Sequence, residues 1–453
     1  MMKIEVKLNL EITDFPENIL VPLDSTGTIF IPSWGNLAEH FYFLVDFERR
    51  RTIAFQIDLH TQIASFKERI TLIHKEKSSP HQMTFDQFLF WLTVPHSGEF
   101  YKNSLYVSFT HCPFFLQIDL TEVKAYLIYD ENSSLEYVFS STNQILEGVM
   151  YMSRWNISQM YRNVYEKNAN DVDLEILAYD LEQQEFRKID TIKGRDQIHT
   201  TSISSDGRYL VMIEMNTKPS AESLCIRKED VARKIQILEE GLTDSWCFVY
   251  DLLNMRVSDQ KIIGGSPAHI VFDREENIMY LSKHQIGING GSNGVDFFSF
   301  GPGSLSKYRI NDTGELGLEA DVSDDHLIRI PGHTMFRFEG NDFIILPVTP
   351  EQIFLIDAKS MSVEKRILLR DDIKRIEFVD GPFAYRVMAL DRSPYSVQAI
   401  NEKPYLYYNN ASTIGVYNIK TGLKDSFRYG EGKHVAGCGH SILLNDTISI
   451  NGN

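Results

Sequence analysis

Between His199 and Met212, apolar and polar positions alternate on either side of a tight turn. Thr201 and Ile203 precede the Asp206-Gly207 pair, and Tyr209 and Val211 follow it. That pattern predicts two short antiparallel strands with His199 at the mouth of the first. It returns as Ala268-His269-Ile270-Val271-Phe272 with a turn near Glu276-Asn277, and as Gly332-His333-Thr334-Met335-Phe336 with a turn at Gly340-Asn341. It returns again as Gly439-His440-Ser441-Ile442-Leu443 with a turn at Asn445-Asp446. A fifth version, Pro95-His96-Ser97-Gly98-Glu99-Phe100, turns near Lys102-Asn103 before the strand Leu105-Tyr106-Val107.

A second repeat is an apolar strand that ends in an acidic or amide residue. Its seven copies are Phe55-Gln56-Ile57-Asp58, Leu116-Gln117-Ile118-Asp119, Leu177-Ala178-Tyr179-Asp180, Phe248-Val249-Tyr250-Asp251, Tyr308-Arg309-Ile310-Asn311, Phe354-Leu355-Ile356-Asp357 and Val416-Tyr417-Asn418. The seven copies predict an all-β, seven-bladed β-propeller in which the Asp or Asn opens the turn between the third and fourth strands of each blade. One such domain spans residues 1–453. The chain before about Asn36 and after Gly432 is expected to share the first blade. There the Gly439 to Asn451 segment supplies inner strands beside Phe41-Tyr42-Phe43-Leu44-Val45, which removes exposed sheet edges.

Two stretches interrupt the repeat. Ser220 to Leu242 carries Val231, Ile235 and Leu238 at helical spacing and is expected to be a helical insertion capping one face. His284 to Gly303 contains six glycines and is expected to be a flexible loop. Thr84 to Leu92 fits either a short helix or a buried strand.

The formal net charge of −17 and the lack of a concentrated Lys/Arg run argue against nucleic acid and anionic membrane partners. The first residues contain no apolar signal region, and no apolar run reaches membrane-spanning length. A cytoplasmic protein without a transmembrane segment is the expectation. Cys112, Cys225, Cys247 and Cys438 lie far apart without a Cys-x-x-Cys, which points to free thiols.

In a propeller the first strand of every blade lines the channel, so equivalent slots face one another across the axis. From blade 1 to blade 7 these slots hold His440, His96, Ser140 or Ser141, His199, His269, His333, and Tyr395 or Ser396. Neutral imidazoles around an axis suit a borderline transition metal such as Fe(II), Cu, Ni or Zn. His199, His269, His333 and His440 are the candidate metal ligands. His96 is a candidate catalytic residue, open between a further metal ligand and a proton carrier beside the metal, with Tyr395 a second candidate catalytic residue. His434 is a candidate supporting group because it lies close to His440. A repeated histidine is also a hydrogen-bonding device, as the Gly-His of the WD repeat is, but no Trp-Asp closes the blades here.

A seven-bladed propeller with four axial histidines resembles the carotenoid cleavage oxygenases. Ala268-His269-Ile270-Val271-Phe272-Asp273, His333-Thr334-Met335-Phe336 and Gly439-His440 are similar to that family's ligand strands. The chain lacks the Ala-His-Pro-Lys and His-Asp-Phe strings of the family. The resemblance implies a four-histidine, non-haem Fe(II) oxygenase that uses dioxygen on a small or apolar organic substrate. Two alternatives stand beside it. One is a copper-dependent propeller oxidase, similar to selenium-binding methanethiol oxidase. The other is a non-catalytic interaction scaffold.

Overall fold

The computed structural model describes the chain apart from residues 18, 20–25, 35–39, 67–83, 85–88, 90–91, 168–170, 216, 228–229, 275, 292–293, 326, 328–329, 349–350, 370–382, 386–394, 411, 431, 434, 436 and 445–453. Seven antiparallel blades form a β-propeller, as the repeats predict. Their inner strands are Gly437–Cys438 with Ile442–Leu444, Pro95–Tyr101, Tyr137–Phe139 with Gln144–Leu146, Gln197–Ile203, Pro267–Phe272, Thr334–Phe338 and Ser396–Ala399. His434 and the Asn445-Asp446 turn lie outside the described residues, as does most of Thr84 to Leu92, in which Leu89 and Leu92 are helical.

The acidic or amide residue that ends the third strand folds the turn after it. Its side-chain oxygen accepts the backbone N–H groups of residues two or three further on, which holds the chain in a reversal. Asp119 accepts from Thr121 and Glu122, Asp180 from Glu182 and Gln183, and Asp251 from Leu253 and Asn254. Asn311 accepts from Thr313, Asp357 from Lys359 and Ser360, and Asn418 from Lys420 and Thr421.

Blade 1 corrects the first copy of the repeat. Phe55-Gln56-Ile57 belongs to its fourth strand, Arg51–Ile57, and Asp58 caps the helix Leu59–Ala64 through the Thr61 N–H. The third strand is His40–Asp46, where Asp46 accepts the Arg49 N–H. The fourth strand reads as a third strand because another strand, Leu8–Asp14, covers its outer edge. Covered on that side, it is as apolar as a central strand.

The termini close the ring. Leu8–Asp14 and Met2–Val6 are fifth, outer strands of blades 1 and 2, respectively. The C-terminal strands pair with Thr28–Trp34 at the inner edge of blade 1. Phe41–Val45, the expected partner, stands one strand further out because Thr28–Trp34 intervenes. Between blades the sheets bury large apolar side chains, among them Phe30, Tyr42, Phe55 and Trp155, each fully enclosed. Burying one such side chain stabilises the fold by roughly 1.5–3 kcal/mol.

The strand order places every connection between second and third strands, and between successive blades, on one face. Ile157–Glu166, Thr217–Leu224, Val231–Gly241 and the hairpin Ile286–Gly291/Gly294–Ser299 all arise from second-to-third connections. They pack on one another as a cap, and Phe383–Tyr385, from the link between blades 6 and 7, extends the hairpin into a three-stranded sheet. The insertion expected over 220–242 is thus two helices that begin earlier, at Thr217. The glycine-rich stretch is strand rather than loop, and Gly287 packs so close to Leu238 that a side chain there would collide. No helix among the described residues is long and apolar enough to cross a membrane.

Candidate metal centre

His96, His199 and His269 come together on the axis, at the face that carries the cap. One ring nitrogen from each lies within 4.8 Å of those of the other two, and all three residues are buried. Ring centroids are 4.7 Å apart for His96 and His199, 5.1 Å for His199 and His269, and 5.6 Å for His96 and His269. His440 lies against two of them, with its ring centroid 4.8 Å from His96 and 4.3 Å from His269.

A shared backbone irregularity accounts for this convergence. In each of these blades the inner strand has one residue more than its partner, and the histidine lies in the resulting bulge. Pro95 and Ser97 pair with adjacent Phe109 and Ser108, leaving His96 between them. Ile198 and Thr200 pair with adjacent Glu214 and Ile213, leaving His199. Pro267 to Ile270 spans three steps against two from Lys283 to Leu281, with His269 inside. Cys438 to Ile442 spans four steps against three from Ser33 to Phe30, with His440 inside. A bulge bends the strand and re-aims the side chain at that point.

In blade 6 the described pairing of Thr334–Phe338 with Asn341–Ile345 is regular and begins one residue after His333, so His333 is not enclosed by paired residues on both sides. His333 therefore does not join the set. Its Nε2–H donates to the carbonyl oxygen of Tyr280 at 2.8 Å, tying blade 6 to blade 5. His96, left open between ligand and proton carrier, stands inside the imidazole set, while His333, read as a ligand, stands outside it.

Tyr395 stacks on His440 with ring centroids 4.9 Å apart and 31° between the planes. Blade 3 offers no imidazole, but its slot frames its neighbours. The Ser141 carbonyl accepts from the Ser97 hydroxyl at 2.8 Å, and the Thr142 N–H donates to the His199 carbonyl at 3.0 Å.

Burial sets the protonation of the site. Desolvation, reinforced by the neighbouring imidazoles, holds His96 and His269 well below the usual histidine range. Desolvation alone pushes His199 down to about 4. All three rings are therefore neutral at physiological pH, and Nδ1 of His96 and of His199 has no hydrogen-bond partner among the described residues. Buried nitrogens with unused lone pairs are the donors a first-row transition metal takes.

Two groups outside the imidazole slots support the site, and sequence reasoning did not single them out. Gln197, two residues before His199, accepts from the His111 Nε2–H at 2.7 Å and from the Thr217 hydroxyl at 2.6 Å. It thereby connects blade 2, blade 4 and the cap helix Thr217–Leu224. His111 follows the second strand of blade 2 as His284 follows that of blade 5, and each acts electrostatically on a cluster histidine, His96 and His269 respectively. That equivalence of position was a signal present in the sequence; for Gln197 there was none.

No family model and no curated protein matches the chain. Among solved structures, a chain in the crystal structure of the mitotic checkpoint complex matches with a TM-score of 0.36 at 9% identity, over 58% of this chain and 61% of that chain. A likeness at that level carries no argument about function.

Proposed function

We propose that the chain is a metal-dependent oxidoreductase in which His96, His199 and His269 hold a first-row ion and His440 closes the site. The observation that carries this reading is three buried, neutral imidazoles brought within 4.8 Å by separate bulges in three blades. A bulge costs ladder hydrogen bonds, and three that aim one residue type at one point serve a common ligand.

The donor set contains no carboxylate, so a bound Fe(II) or Cu ion keeps most of its positive charge. Such an ion supplies dioxygen activation and polarisation of a substrate oxygen. The residues of this chain exclude bulk water by their burial, and Tyr395 presents a phenol ring beside His440. The proposed reaction takes a small or apolar organic substrate with dioxygen, in line with the resemblance to the carotenoid cleavage oxygenases.

Metal analysis of the full-length protein, with dioxygen uptake measured on the same sample, tests this reading. One equivalent of iron with dioxygen-dependent turnover is the expected result. Copper at one equivalent would move the assignment to a propeller oxidase. A chain that takes up neither metal after incubation with each is a scaffold, and the proposal falls.

A further inference from the structure

A cleft of about 490 Å³ opens on the cap side, lined by Leu242, Ile263, Gly264, Gly265, Gln285 and Phe300 among others. Its volume lies within the range of small-molecule sites. Leu242 caps the end of the helix Val231–Gly241, Gln285 and Phe300 flank the hairpin, and the two glycines lie in the link between blades 4 and 5.

That link is backbone under constraint. Gly264, Gly265 and Ser266 have φ values of 64°, 76° and 53°, a run of three left-handed residues. The run is pinned from both sides. The Gly265 N–H donates to the Leu242 carbonyl at 2.6 Å, while the His284 and Gln285 N–H groups donate to the Ser266 and Gly265 carbonyls. A side chain at Gly265 would run into the Gln285 amide, and one at Gly264 into the Leu242 carbonyl oxygen. Pinned on both sides, the link forms a fixed wall of the cleft.

We infer that this cleft binds an uncharged organic molecule with an apolar body and a hydroxyl or carbonyl group. Leu242, Ile263 and Phe300 offer the apolar surface, and the Gln285 amide offers both a donor and an acceptor. Among the described residues the lining includes no Lys or Arg, and Glu239 is its charged residue, which disfavours an anion. In sequence the cleft wall lies close to the imidazole site. Gly265 lies four residues before His269 in the chain, and Gln285 follows His284, which acts on His269. As the seat of the substrate the cleft rests on the metal-centre reading; as a binding site it stands on its own geometry.

Nile red, a neutral apolar dye with a carbonyl group, is the probe. Saturable, equimolar binding to the full-length protein is expected. Thr243→Trp fills the cleft from an exposed position and should weaken that binding by about tenfold or more, since the apolar contact is lost. Leu253→Ser, at an apolar residue exposed elsewhere, should leave it unchanged. No saturable binding, or equal affinity in Thr243→Trp, overturns the inference. Loading with Cu(II) separates the two readings. Quenching of the bound dye in the wild type but not in His269→Ala supports the cleft as the seat of the substrate, and retained Cu(II) without quenching overturns that role. If Cu(II) is not retained, the metal centre fails while the dye measurements still decide the cleft.

Discussion

The backbone N–H of His440 donates to the carbonyl oxygen of His96 at 2.6 Å. The last strand of the chain is thereby fastened to blade 2 at a residue of the imidazole site, so ring closure and site assembly share one contact. Gly439 makes the approach possible, because a side chain there would collide with the His96 carbonyl. Gly439→Ala should therefore lift the closing segment away. We expect a loss of about 1–3 kcal/mol in urea unfolding, as overpacking commonly costs, together with weaker Co(II) binding. Unchanged stability and unchanged affinity would show that the closure does not shape the site.

His269 and His333 occupy equivalent slots and have different partners, so alanine at each should have different effects. His269→Ala should abolish stoichiometric metal uptake, because it removes one of three convergent donors. His333→Ala should keep the metal and lose about 1–3 kcal/mol of stability, since the Tyr280 carbonyl is left without its donor. Metal analysis and denaturation of both variants check this pair. Loss of metal in His333→Ala alone would reverse the assignment.

Gln197 offers a test of support that does not touch the proposed ligands. Gln197→Leu keeps the shape but removes the oxygen that accepts from the His111 N–H and the Thr217 hydroxyl, an expected cost of about 1–3 kcal/mol. A purely structural role would stop there. If Gln197 also positions the strand carrying His199, the visible absorption bands of bound Co(II) should shift, and metal affinity should fall by about 10 to 100-fold. Identical spectra in variant and wild type would confine Gln197 to a structural role.

The blade count was legible because its cause is local. An Asp or Asn that accepts the next amides marks each turn after a third strand, and six of the seven marks were read at the right strand. The mark of blade 1 was misplaced to Asp58 because an N-terminal strand, distant in sequence, makes the fourth strand look internal. The histidine slots were legible as a repeat, but which rings meet was not. That depends on one extra residue between paired positions, and pairing register is a property of two strands. His333 and His269 look alike in sequence, yet only the strand of His269 is bulged. The glycine-rich hairpin was hidden for the same reason. Its strands find partners in Phe383–Tyr385, far along the chain.

Glu214 supports a prediction about pH. It is wholly buried on the second strand of blade 4, where Oε1 accepts the N–H groups of Arg195 and Asp196 at 2.6 and 3.1 Å. Burial pushes its carboxyl up to about 7, and the backbone hydrogen bonds offset only part of that shift. In the unfolded chain it titrates near 4.5. Between those two values the folded state keeps a proton that the unfolded state has released. The contribution of Glu214 is thus fully present below about pH 4.5 and is lost as the pH rises through about 7. The buried imidazoles act in the opposite sense, since His199 and His333, each held at about 4, stay neutral in the fold while the unfolded chain takes up protons. Wild-type stability mixes both trends, but comparison with Glu214→Gln isolates one of them. Glutamine retains an oxygen for the two amides and carries no titrating proton. The variant should gain on the wild type as the pH rises from 5 to 7, by on the order of 2 kcal/mol. Urea midpoints at several pH values give the difference directly, and a difference that does not change with pH would mean that Glu214 titrates normally in the folded protein.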